Sequence, residues 1–285
     1  MGRGQRGGGN RVRTPPRVLA IGGTDPCGGA GLAADVRTAA ALGCHAMIAV
    51  TALTIQDSRS VREVAPVAPR RVRAQIAAAL GDAGADCVKI GMLASAAVAR
   101  AVADVLDAYQ ALPVVLDPVL RATTGRALLD GPGRSVLLRR LLPRAILVTP
   151  NLPEAEAILD RRIRRAVLMR VAAADLLARG ARAVLLKGGH LAGDPVDVFA
   201  DGRRTLVLRR RRIPGVDPHG SGCVLASSIA CFIARGASLA DAVRLGRRFV
   251  AAAIRASYPL GAGAGPVNPL AAGRLFALAG SPCGR

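Results

Sequence analysis

Gly220-Ser221-Gly222-Cys223 combines residue types and spacing that could do chemistry. Two glycines let the backbone approach a ligand, and Val224 to Ala234 reads as a helix. A helix start offers unpaired N–H groups and the positive end of a dipole, which bind phosphate. An anion hole for a transferring phosphoryl group fits. A plain turn ahead of a helix is the simpler reading of the spacing by itself. Cys223 would sit at that helix N-terminus, where thiol pKa values fall, as a base or polar group near a substrate hydroxyl. A small buried hydrophobe is the commoner role of a free cysteine.

Asn151-x-x-Glu154 follows an apolar run. Carboxylates placed after strands can hold Mg²⁺, directly or through water, because the ion prefers oxygen ligands and keeps much of its hydration. The same residues could cap a helix, and the spacing does not choose between the two. Asp117-Pro118 supplies a second carboxylate at another strand end, and Lys187 suits a point-charge contact to phosphate. Lysine is scarce: of 40 Lys and Arg residues, only Lys89 and Lys187 are lysines. A lysine that persists in an arginine-rich chain is a candidate for a job that arginine cannot do. Gly29-Ala30-Gly31-Leu32-Ala33-Ala34 matches the dinucleotide pattern weakly, and no phosphate-loop motif ending in Gly-Lys-Ser/Thr occurs.

These residues need a scaffold. The chain has 285 residues, 51% of them hydrophobic, which allows a large core and excludes wholesale disorder. No stretch resembles the ~20-residue apolar span of a membrane helix, so no membrane partner is expected. The net charge of +21 could signal nucleic acid. The arginines are dispersed, there is no Trp, and the few aromatics form no stacking series. A coding bias toward arginine explains the charge better than a nucleic-acid partner. Six cysteines without a Cys-x-x-Cys pair argue against structural zinc. With no apolar leader segment, a cytoplasmic protein with reduced thiols is expected. Residues 1–16 read as a disordered basic tail, and 17–285 as one domain.

Strands are expected at 17–22, 45–54, 86–91, 113–117, 145–149, 183–187, 197–200 and 205–210. Helices are expected at 30–42, 69–83, 95–109, 134–141, 153–159, 166–179, 222–235, 238–256 and 267–278. The alternation argues for a mostly parallel, doubly wound α/β sheet with helices on both faces. Asp201-Gly202 between two extended runs predicts an antiparallel hairpin. Ligands sit outside the carboxyl ends of such strands, which is where the polar and glycine-rich segments cluster.

Seven segments in order carry a family resemblance. They are Gly23 to Asp35, Thr51 to Gln56, Lys89 to Leu93, Leu116 to Val119, Thr149 to Ala155, Leu186 to His190 and His219 to Cys223. Together they resemble the bacterial hydroxymethylpyrimidine/phosphomethylpyrimidine kinases of thiamine biosynthesis, in the ribokinase-like superfamily. The resemblance runs from about Val18 to Ala272 and implies a three-layer α/β/α sandwich. It implies that Gln56 hydrogen-bonds an aminopyrimidine, with Gly23, Ala30, Asp35, Met92 and Val119 shaping the pocket. It implies that Asn151 and Glu154 serve Mg²⁺ and phosphate, that Asp117 joins Glu154 at the metal, and that Asp117 and Lys187 lie along the ATP phosphates. Gly220, Ser221 and Gly222 would form the anion hole, and Cys223 would stand where most relatives carry an aspartate base. The implied reaction uses ATP and Mg²⁺ to phosphorylate the hydroxymethylpyrimidine and then its monophosphate, in a homodimer. Cys27, Ala33, Arg121, Asp217-Pro218 and Ser221 depart from the usual pattern. Pyridoxal kinase and a non-catalytic nucleic-acid-binding protein are the alternatives.

Overall fold

A computed structural model describes residues 14–122, 124–189, 191, 193–213 and 219–278. The tail expected over 1–16 lies outside them up to residue 13. Pro16 already belongs to the fold, since its carbonyl accepts the His45 N–H at 2.8 Å.

One nine-stranded sheet runs through the chain in the order β3-β2-β1-β4-β5-β6-β7-β8-β9. Its strands are β1 (Arg17–Gly23), β2 (His45–Gln56), β3 (Val61–Pro66), β4 (Cys87–Ile90), β5 (Val114–Leu116), β6 (Leu147–Val148), β7 (Val184–Leu186), β8 (Val196–Ala200) and β9 (Thr205–Arg209). The pairs from β2 through β1, β4, β5 and β6 to β7 are parallel, and β3, β8 and β9 pair antiparallel at the two edges. The β8–β9 hairpin turns at Asp201-Gly202, as its sequence predicts.

Parallel pairing with helical crossovers buries both faces of the sheet. Helices α2 (Pro69–Asp82), α3 (Ala96–Leu106), α4 (Gly131–Val136), α5 (Leu152–Leu159) and α6 (Ala166–Ala178) cover one face. Helices α1 (Gly31–Ala41), α7 (Ser221–Ala234), α8 (Leu239–Arg255) and α9 (Pro269–Leu278) cover the other. The result is the three-layer α/β/α sandwich. The segment expected as a helix at 134–141 is α4 followed by a π-helical turn, Leu137–Leu141.

Strand alternation places the chemistry. Leu19, Ile21, Val88, Ile90, Val114 and Leu116 join the core under α2–α6, whereas Cys87, Val115 and Leu185 join the core under α7 and α8. Lys89, Asp117 and Lys187 continue that second series, toward α7. The sheet order also reverses between β1 and β4, and in open α/β sheets that switch point opens a crevice beyond the strand ends.

The layer on the α7 side depends on Phe249, fully buried in α8 and edge-on to Phe276 of α9 at 5.4 Å. Phe249→Ala is expected to cost about 3–5 kcal/mol, read as a lower urea midpoint at unchanged slope. A loss well under 1 kcal/mol would mean that α8 and α9 do not pack this way.

Candidate active site

Residues that follow β1, β2, β4, β5, β6 and β7 meet the start of α7 at one end of the sheet. Gly220 caps α7 at φ 83°, a left-handed conformation that favours glycine. A Cβ there would fall onto the Gly29 carbonyl oxygen. The two glycine loops therefore touch backbone to backbone. No side chain caps α7, and among the described residues the N–H groups of Ser221, Gly222 and Cys223 find no acceptor. N–H groups left open at a helix start are able to bind an anion. A Cβ on Gly222 would lie 3.3 Å from Lys187 Nζ and 3.8 Å from Asp117 Oδ2, so the charged pair borders this turn.

Lys187 Nζ and Thr149 Oγ1 both donate to Asp117 Oδ1 at 3.0 Å. Burial works against the Lys187 charge, but Asp117 and then Glu154 hold its pKa above the ordinary value. Asn151 and Glu154 form a capping box on α5: the Asn151 side chain accepts the Glu154 N–H at 2.8 Å, and Glu154 Oε2 accepts the Asn151 N–H at 2.7 Å. The capping alternative is thus realised, and it aims Glu154 inward. Burial pushes Glu154 up to about 7, with Asp117 adding to the rise and Lys187 opposing it.

Cys223 departs from expectation. Its thiol is raised to about 11, because burial outweighs the nearby Lys89 ammonium and the Gly31 N–H. At neutral pH it is a neutral thiol and no ready base.

The first loop is organised by Asp25, which the sequence reading passes over. Its carboxylate accepts the N–H groups of Cys27 at 2.9 Å, Gly29 at 3.1 Å and Ala30 at 2.7 Å, and lies 3.1 Å from His219 Nε2. Burial alone would raise Asp25, yet bonds from His219, Gln56, Ala30 and Cys27 hold it down to about 2. His219 packs its ring against Gly29, which joins the first loop to the anion turn. The available signal was a carboxylate and an imidazole flanking two glycine loops; their pairing needs the fold to bring residues 25 and 219 together.

The expected pocket residues separate into two groups. Gln56 ends β2 beside Asp25, Met92 Sδ lies against Gly23, and Val119 is half-buried past β5. These and Ala30 stand at or just beyond the carboxyl ends of β1, β2, β4 and β5. Asp35 is set apart from them: its side chain is 1% exposed and paired with Lys89. His190 and Asp217-Pro218 lie outside the described residues.

A model of the phosphomethylpyrimidine kinase family matches residues 25–268. The chain is 44% identical over 255 residues to a hydroxymethylpyrimidine/phosphomethylpyrimidine kinase of Streptomyces coelicolor, covering 90% of this chain and 94% of the relative. The chain belongs to the phosphomethylpyrimidine kinase family. Its fold also superposes on solved kinases. A pyridoxal kinase from Bacillus subtilis, solved as an ADP complex, has a TM-score of 0.84 and 31% identity, covering 92% of this chain and all of that one. A phosphomethylpyrimidine kinase from Clostridium difficile has a TM-score of 0.74 and 32% identity, covering 83% of this chain and 98% of that one.

Asp25 makes the rim pH-sensitive. With its folded pKa depressed, its contribution to stability is present above about pH 4 and is lost as pH falls toward 2. The size is about 2 kcal/mol. Asp25→Asn is therefore expected to lower the urea midpoint at pH 6 and to converge on the wild-type value as pH falls toward 2. An equal gap at both ends of that range would remove Asp25 as the depressed group.

Proposed function

We propose that this chain transfers the γ-phosphoryl group of ATP to the hydroxymethyl oxygen of 4-amino-5-hydroxymethyl-2-methylpyrimidine, and then phosphorylates the resulting monophosphate. The observation that carries this reading is the open first turn of α7 facing Lys187 and Asp117. Three N–H groups without an acceptor among the described residues lie there beside an ammonium, which suits the charge on a transferring phosphoryl group.

The acceptor oxygen attacks the γ-phosphorus, the bond from that phosphorus to the β–γ bridging oxygen breaks, ADP leaves, and the hydroxyl proton passes to the transferred phosphoryl group. Lys187 neutralises charge on the phosphates, and the α7 N–H groups bind the equatorial oxygens. A Cys223 thiol at about 11 does not remove the acceptor proton beforehand. Instead it orients the hydroxyl, which suits a reaction that depends mainly on positioning. Gln56 and Met92 bracket the pyrimidine.

Asp117 and Glu154 fit Mg²⁺. Asp117 Oδ2 and Glu154 Oε1 take no donor among the described residues, and both are hard oxygen ligands. No group of three metal-binding side chains occurs among those residues, so the ion would keep water and phosphate as its other ligands. When bound it would neutralise the β- and γ-phosphate oxygens. No helix of the described residues is long and apolar enough to cross a membrane. A cytoplasmic homodimer acting on small molecules is part of the same proposal.

Pyridoxal is a second candidate acceptor, favoured by the fold match to pyridoxal kinase at a TM-score of 0.84. ATP turnover with Mg²⁺ is measured on the hydroxymethylpyrimidine, its monophosphate and pyridoxal in parallel. Turnover on both pyrimidines is expected; turnover on pyridoxal alone would replace the proposal. Cys223→Ala is expected to lower kcat about 100-fold with little change in the pyrimidine KM, and an unchanged kcat would leave Cys223 as packing. Gln56→Ala should raise the pyrimidine KM about tenfold while the ATP KM stays put. Equal loss for both substrates would end the ring-recognition role.

A further inference from the structure

We propose that Lys89 is a positioning residue for phosphoryl transfer, presenting a fixed positive charge to the first turn of α7 through a buried ion pair with Asp35. The inference rests on the reading above, that transfer takes place at that turn. Lys89 lies in β4, on the face turned toward α1 and α7, and its side chain is 1% exposed. Its Nζ donates to both Asp35 oxygens at 2.8 Å, and Ser227 Oγ donates to Asp35 Oδ1 at 2.6 Å. Asp35 comes from α1. Ser227 stands four residues beyond Cys223 on α7, hence on the same side of that helix.

The charged groups around Cys223 are Lys89 from β4, Asp35 from α1, Asp117 beyond β5 and Lys187 beyond β7. The Lys89 ammonium pulls the thiol down, against Asp35 and Asp117. Ser227, one turn further along α7, holds the carboxylate, and Gly91, just beyond β4, borders the ammonium, so the ammonium end of the pair lies toward the strand ends where α7 starts. Burial pushes the Asp35 carboxyl up, and the ammonium and Ser227 pull against that. A clamp between three elements needs no charge: well-packed apolar side chains often hold a core as well as a buried ion pair. A dipole fixed before the reaction instead favours negative charge that develops during it.

The site also accounts for the persistence of lysine. A Cβ on Gly91 would lie 2.9 Å from Lys89 Nζ. Gly91 thus lets the backbone come close to a compact ammonium, whereas a planar guanidinium is larger and forked.

The variant Lys89→Met with Asp35→Asn removes both charges and leaves neither partner alone. Three quantities are measured: ATP turnover on the pyrimidine acceptor, melting temperature, and the rate of iodoacetamide alkylation at Cys223 resolved by mass spectrometry. The expected result is wild-type melting, kcat lower by about tenfold with both KM values within about twofold, and alkylation slowed about threefold at pH 8.5. Unchanged kcat in the folded variant overturns the proposal, as does a fall in kcat that merely tracks melting. If the double variant does not fold, Ser227→Ala decides. A kcat about threefold lower at wild-type melting supports the dipole, and an unaltered kcat overturns it. If wild type itself turns over neither pyrimidine, the functional reading has failed and alkylation alone decides: slower in the variant supports the dipole, equal rates overturn it.

Discussion

Backbone must meet backbone where the first turn of α7 reaches the loop after β1. Gly220 has no room for a side chain against the Gly29 carbonyl, and its left-handed φ is one that glycine adopts without strain. That approach lets α7 start above the strand ends with its N–H groups open. The other contacts at the rim conform to it. Asp25 gathers three N–H groups of the first loop and meets His219, so the loop is held on one side by its own backbone and on the other by the turn. Thr54 donates its N–H to Thr24 Oγ1 and its hydroxyl to the Thr24 carbonyl, which ties the same loop to β2.

The scaffold was legible because its signals are local. Continuous apolar runs such as Val114–Leu116 and Val184–Leu186 are what a sheet covered on both faces requires. The strand that sequence reading missed, β3, is an edge strand whose residues are all exposed or half-buried. It carries Arg62, Glu63 and Pro66, as edge strands do to discourage further pairing. Its apolar pattern is accordingly too weak to find. The site was legible in its members but less so in their partnerships. Asp35 belongs to the matching motif, yet its role follows from Lys89, 54 residues away. Cys223 sits at a helix start as its spacing predicts, but its thiol is raised by its surroundings, with Asp35 and Asp117 on one side of the balance and Lys89 and Gly31 on the other. Those neighbours are brought in from distant parts of the chain and are not written in any local pattern.

Charge follows the same division. Several arginines form pairs at the surface, such as Arg140 with Asp104 and Asp107, with side chains about a third or more exposed. Pairs of that kind contribute little to stability, which is consistent with a composition that tolerates them in number. Both lysines are different. Lys89 and Lys187 each meet a buried aspartate, at 2.8 Å and 3.0 Å, on the side of the sheet that faces α7.

Two buried ion pairs beneath one helix start are an expensive arrangement, since desolvation often cancels the attraction between the partners. Stability alone would favour apolar packing there. The pairs differ in what surrounds them. Lys187 borders the open N–H groups and is partly exposed, so its charge can reach a ligand directly. Lys89 is buried against Gly91 and bound to Asp35, and can act only through the field it sets. Phosphoryl transfer gains from both kinds of charge, one that contacts the phosphates and one that is fixed before they arrive. A buried cation that touches no ligand thus has a physical reason to persist at this end of the sheet.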